Sequence, residues 1–132
     1  MSTHEIPDSL KYTRDHEWAN IEGDTMTFGI SDFAQSSLGD VVFLELPAVG
    51  STLKQGDACG VIESIKSVSD LCTPMSGTVE EINQEAVDNP ALCNTSPYMT
   101  WLVKLHISAP QEAEQLLDAQ QYEAHCAQEH HE

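Results

Sequence analysis

A chain of 132 residues with 40% hydrophobic content supports one modest core and is too short for two. Its 22 acidic against 5 basic side chains give a formal net charge of −17, which argues against nucleic acid and anionic membranes and favours partners with basic faces. No apolar run approaches the roughly 18 residues of a membrane span, so no membrane segment is expected.

Met1 to Leu10 is polar and acidic, with neither the apolar stretch of a secretory signal nor the Arg-rich pattern of a transit peptide. It reads as a flexible segment over 1–10, followed by a single domain over 11–127 and a flexible acidic, His-containing tail over 128–132. The four cysteines, Cys59, Cys72, Cys93 and Cys126, form no Cys-x-x-Cys pair, which suits reduced thiols in a cytoplasm.

In chain order, Thr25 to Ile30 alternates, with Met26, Phe28 and Ile30 on one face after a Glu22-Gly23-Asp24 turn, and predicts a one-sided strand. A short helix follows: Ser31 or Asp32 can cap it, Asp32 and Gln35 have capping-box spacing, and Gly39 stops it. Val41-Val42-Phe43-Leu44 is apolar enough to be expected at the centre of the core. Ala58 to Ser64 and Ser67 to Thr73 are short, β-branched runs that predict a hairpin. With Ile65 and Lys66 as its turn, Glu63 faces Val68, Val61 faces Asp70 and Cys59 faces Cys72.

Beyond a Met75-Ser76-Gly77 turn, Thr78 to Ile82 predicts another strand, and about 83–97 reads as a long loop interrupted by Pro90 and Pro97. Trp101 to Ile107 alternates again. Pro110 then opens a predicted helix over about 111–127, with Ala113, Leu116, Leu117 and Tyr122 as a thin apolar stripe. Strands with only local helices and no βαβ alternation imply a small sandwich or barrel.

Lys66 stands out because it is one of only five cationic side chains and sits at the hairpin tip in Glu63-Ser64-Ile65-Lys66-Ser67-Val68-Ser69-Asp70. It is no phosphate clamp, since no Gly-rich loop precedes it. A lone amine at such a tip either keeps a sheet edge soluble or is modified by an enzyme to carry something.

Several strings decide between these readings: Lys11-Tyr12, His16-Glu17-Trp18, Gly29 to Gln35, Leu38 to Pro47, Glu63-Ser64-Ile65-Lys66, Ser69-Asp70, Pro74 to Val79, Asn89-Pro90 and Pro97-Tyr98. Their order and spacing, over about residues 11 to 124, resemble the glycine cleavage system H protein family. The resemblance implies a mainly β fold, a small lipoyl-domain-like barrel-sandwich hybrid with a short internal helix and a C-terminal helix. It implies lipoate in covalent amide linkage to Lys66, and places Glu63, Ser64 and Asp70 on the surface that presents the lysine.

The implied role is a non-catalytic, monomeric, cytoplasmic carrier in glycine catabolism, which shuttles an aminomethyl group from glycine decarboxylase to aminomethyltransferase. Dihydrolipoyl dehydrogenase would reoxidise the arm, and a lipoate ligase or lipoyltransferase would attach it. The cofactor supplies the chemistry and the protein supplies position. Because the cargo amine is cationic, carboxylates should line the place where the arm rests; the resemblance selects Glu17, with Asp15 and Asp70 nearby.

Other sites read weakly. His125, Cys126, His130 and His131 could bind a soft metal only if the tail were fixed, and no metal site is expected. His16, beside Trp18, reads as a structural hydrogen bonder. Two departures from the family pattern are a shortened Tyr98-Met99-Thr100-Trp101 loop and Ala19 after the tryptophan. Two alternatives stay open: a lipoyl relay for 2-oxoacid dehydrogenases or another redox system, and an interaction domain that keeps only the fold. A biotin carrier is disfavoured because Ile65 and Ser67, not methionines, flank the lysine.

Overall fold

The computed structural model describes residues 6–129. Among these described residues, nine strands form two antiparallel sheets. The larger runs in the order β1 (Lys11–Tyr12), β2 (Glu17–Glu22), β3 (Thr25–Ile30), β9 (Val103–Ile107), β8 (Gly77–Ile82) and β5 (Thr52–Leu53). The smaller contains β4 (Val41–Glu45), β6 (Ala58–Ser64) and β7 (Val68–Cys72), with β6 in the middle.

The alternation over 25–30 does what its period requires. Met26, Phe28 and Ile30 are buried, and from β9 Val103, Leu105 and Ile107 join them. Together with Leu44, Ile62, Leu71, Met75 and Val79 they make the main core between the sheets. A second cluster, Tyr12, Trp18, Phe33, Tyr122 and Cys126, closes one end, and Ile6 and Leu10 pack against it. Of the segments expected to be flexible, 1–5 and 130–132 lie outside the described residues.

The internal helix, α1 (Asp32–Leu38), is capped by Ser31, whose Oγ accepts from Ala34 N at 3.1 Å. Asp32 instead takes a side-chain bond from Gln35 Nε2 at 2.8 Å. Gly39 ends the helix with φ 79°, a left-handed conformation that only glycine adopts without strain.

The molecule departs from the sequence expectations in four places. Within Val41 to Leu44, only Val41 and Leu44 are buried; Val42 and Phe43 are 54% and 46% exposed. A bulge between Val41 and Phe43 turns two consecutive apolar residues outward. The stretch 83–97 is not a plain loop, because it contains α2 (Gln84–Asp88) and α3 (Leu92–Thr95). Each is too short to show helical periodicity, and Asn83 caps the first through Glu85 N.

The predicted C-terminal helix is two pieces, a 3-10 helix at Pro110–Gln115 and α4 (Ala119–Glu129). Between them Leu117 exchanges two backbone bonds with Tyr12, each 2.8 Å, so tertiary pairing overrides helix continuation. Asp118 then restarts the helix in a reciprocal capping box with Gln121, at 2.8 and 3.0 Å.

The hairpin register holds near the tip and slips away from it. Glu63 faces Val68 and Val61 faces Asp70 as predicted, but a bulge at Cys59 lets Ala58 take the place opposite Cys72. Gly60 explains the irregularity, since a Cβ there would run into the Glu45 carbonyl oxygen. The displaced Cys59 thiol donates to Leu71 O at 3.3 Å, and the four cysteines form no disulfide.

Candidate lysine-bearing turn and acidic cleft

Ser64 closes the turn that carries Lys66. Its N–H donates to Ser67 O at 2.8 Å, while its Oγ accepts from the backbone N–H groups of Lys66 (3.2 Å) and Ser67 (3.0 Å). The usual two-residue hairpin turns need positive φ, costly for a β-branched residue such as Ile65. His16 is the only non-glycine residue with positive φ among those described, so the turn avoids that conformation and Ser64 Oγ supplies the closure. Ile65 N also donates to Asp40 O at 3.0 Å, which ties the tip to the chain leaving α1.

Lys66 itself is exposed, and its aliphatic stem lies over Gly39. A Cβ at Gly39 would come 2.9 Å from Lys66 Cε. The glycine therefore serves twice, as helix terminator and as the bare backbone under the lysine. Nothing in the linear pattern assigns the second role.

Along β7, Asp70 and Cys72 point to the same side and face the segment before β2. Arg14, Asp15 and His16 close the other wall, giving a cleft of about 430 Å³ lined also by Ser69. From Val68, beside the turn, to Asp70 is about 7 Å of strand, at roughly 3.3 Å per residue. Of the residues expected near the arm, Asp70 and Asp15 line this cleft from its two opposite walls; Glu63 and Ser64 belong to the hairpin beneath Lys66.

Glu17 stands behind the wall rather than on it. It is only 2% exposed, and its carboxyl accepts from Thr13 Oγ1 at 2.5 Å and from Cys72 N at 3.2 Å. Burial pushes its pKa up to about 8; the two hydrogen bonds offset part of this, and the neighbouring Asp15 charge adds a smaller upward push. At neutral pH it therefore holds a proton. Burial also raises the Cys72 thiol to about 11, helped by Glu17 and Asp15.

Of the other cleft residues, the sequence pattern marks His16 only as a structural hydrogen bonder and Cys72 only as the residue opposite Cys59, and it leaves Arg14 unmarked. The signal for Cys72 is its period-2 relation to Asp70; for Arg14 and His16 it is only their adjacency to Asp15 and Glu17. His16 takes φ 74° and is held by Tyr122 Oη at 2.8 Å and by Phe33, whose ring stacks on it at 4.6 Å. Tyr122 Oη in turn contacts Ser31 Oγ at 2.6 Å, so the C-terminal helix fixes this wall. Trp18 donates its indole N–H to Pro97 O at 2.9 Å, which anchors the start of the altered loop.

The two sheets, local helices and hairpin-borne lysine make up a lipoyl-domain-like barrel-sandwich fold. A crystal structure of a glycine cleavage system H protein from Mycobacterium marinum matches with a TM-score of 0.83 and 43% identity, covering 90% of this chain and 97% of that one. The family described as glycine cleavage H-protein matches residues 10–129, and the chain belongs to it. The glycine cleavage system H protein of Carboxydothermus hydrogenoformans is 48% identical over 119 residues, 89% of this chain and 92% of that protein. The mitochondrial glycine cleavage system H protein 2 of Arabidopsis thaliana is 47% identical over 121 residues, 91% of this chain and 78% of that protein. Among the described residues no helix is long and apolar enough to cross a membrane.

Proposed function

We propose that this protein is the lipoylated carrier of the glycine cleavage system, moving an aminomethyl group from glycine decarboxylase to aminomethyltransferase without catalysing either step. The observation that carries the reading is Lys66, an exposed amine on a turn locked by Ser64 and backed by a packed sheet. A carrier needs a mobile arm on a rigid base, and this turn provides the base.

The residues fit lipoate. Lys66 would hold it in amide linkage, small Ser64 and Ser67 leave the tip open to a modifying enzyme, and the cleft within strand reach offers a resting place. When attached, lipoate supplies a dithiolane that accepts and releases the cargo and is restored by dihydrolipoyl dehydrogenase. This chain's part is electrostatic. Asp15 and Asp70 present carboxylates to a cationic amine. Glu17, protonated behind them, would ionise as a cation approached, since an adjacent positive charge lowers a carboxyl pKa. We assign the carrier domain to 11–127, acting as a monomer in the cytoplasm, with Lys66 acylated by a lipoate ligase or lipoyltransferase.

The test is acylation mapping. A lipoate ligase should modify Lys66 and leave Lys11, Lys54 and Lys104 untouched by peptide mass spectrometry. Lys66→Ala should abolish glycine–bicarbonate exchange with glycine decarboxylase while moving the melting temperature little, because an exposed tip contributes little to the core. Exchange that survives Lys66→Ala rejects the reading; acylation without loading by glycine decarboxylase favours a lipoyl relay.

A further inference from the structure

The three-stranded sheet has an inner row, Leu44–Ile62–Ser69, in which Leu44 and Ile62 are 2% exposed. The rows on either side must therefore point outward, because side chains alternate across a sheet. One is Phe43–Glu63–Val68 and the other is Glu45–Val61–Asp70. Apolar and acidic residues thus alternate in both directions across six positions. Phe43 is 46% and Val68 is 68% exposed, a large aromatic and aliphatic pair open to solvent on so small a protein.

This face begins two residues from Lys66. An enzyme that forms an amide at the lysine Nζ must cover the turn, and a standard footprint of about 800 Å² per partner is nearly 30 Å across. The two rows extend only about 10 Å, the width of two strand spacings. They must fall under any such footprint that extends toward the sheet. Self-association is disfavoured, since two copies would juxtapose Glu45, Glu63 and Asp70 with themselves on a body of charge −17.

We infer that this checkerboard is the docking face for the enzyme that acylates Lys66, and that the enzyme meets it with apolar side chains interleaved with arginines. Arginine suits the pattern better than lysine, because its planar group can pair with a carboxylate and stack on Phe43 together. The inference rests on the carrier reading and adds which surface selects the modifying enzyme.

The experiment uses the full chain with a bacterial lipoate–protein ligase, lipoate and ATP, and follows Lys66 acylation by intact mass. The double variant Phe43→Ser with Val68→Ser should lose about tenfold in kcat/KM, mostly through KM, as removal of interfacial anchors does. Glu45→Arg, which disturbs no apolar contact, should lose about threefold and flatten the salt dependence. Reaction of Lys66 with a small N-hydroxysuccinimide ester should be unchanged, showing that the amine itself is intact. Values of kcat/KM within twofold of the parent in both variants overturn the docking face. A parent that sediments as a dimer and dissociates in the double variant also overturns it, in favour of a second copy. Failure of the ligase to modify Lys66 in the parent would instead remove the carrier reading on which the face depends.

Discussion

At Glu17 local chemistry departs far from what the residue type suggests. A carboxyl with an ordinary value of 4.5 raised to about 8 binds its proton more tightly in the folded than in the unfolded chain. Its contribution to stability is therefore fully present below about 4.5 and is lost as pH rises through about 8. A tenfold change in proton affinity corresponds to about 1.4 kcal/mol, so the pH-dependent contribution amounts to a few kcal/mol. Melting temperatures of the parent should fall between about pH 5 and 8 more steeply than those of Glu17→Gln, which keeps the shape but cannot ionise. Parallel curves for the two proteins would mean that the carboxyl is ionised throughout. Ser64 gives a second residue-scale prediction: Ser64→Ala removes the acceptor for the Lys66 and Ser67 amides. Hydrogen exchange at those two amides should accelerate, while the melting temperature shifts by no more than about 5 °C, since both bonds are exposed and together contribute about 1 kcal/mol.

Among the elements, those with a clean period are legible and those decided by partners are not. Thr25 to Ile30 and Val103 to Ile107 each bury alternate side chains, so pattern alone places them. The Val41 to Leu44 run misleads because four consecutive apolar residues carry no period, and only the bulge shows that Val42 and Phe43 face outward. In the C-terminal segment the apolar stripe implies one helix, yet the bridge between Leu117 and Tyr12 breaks it, a contact invisible in local sequence. The Asp118-x-x-Gln121 capping box is present in the letters and marks the true start of α4. The same divide runs through the site. Lys66 stands out from its isolation on a hairpin, whereas the cleft exists only because Arg14 to His16 meets Ser69 to Cys72 across the fold. The capping box is testable: Asp118→Ala should cost about 1 kcal/mol and lower the melting temperature by roughly 3–5 °C. Because α4 carries Tyr122, whose hydroxyl holds His16 and Ser31, the near-ultraviolet spectrum should change alongside it. A variant as stable as the parent would show that packing of Tyr122 and Cys126 alone sets the helix start.

At the scale of the whole molecule the governing quantity is charge. Seventeen net negative charges on a body of 14.5 kDa set up a field that extends well beyond contact distance at low ionic strength. Screening shortens its reach from about 30 Å at 0.01 M salt to about 8 Å at physiological strength and about 3 Å at 1 M. Encounter with a partner enzyme of opposite surface charge should therefore be accelerated at low salt, whereas dissociation, governed by short-range contacts, should respond less. Stopped-flow association with glycine decarboxylase or aminomethyltransferase should show rate constants that fall by about tenfold or more between roughly 0.02 and 0.5 M salt, with dissociation rates changing by less than about threefold. The sign follows from the sequence, since there is no basic patch to reverse it: the five cationic residues are dispersed at 11, 14, 54, 66 and 104. Lysine modification makes the contrast stronger. Acylating Lys66 removes one of those five charges and carries the net charge from −17 to −18, so the lipoylated form should be at least as salt-sensitive as the unmodified one. Association rates that stay flat across that range, in both forms, would show that docking is driven by apolar contact and that the acidity serves solubility alone.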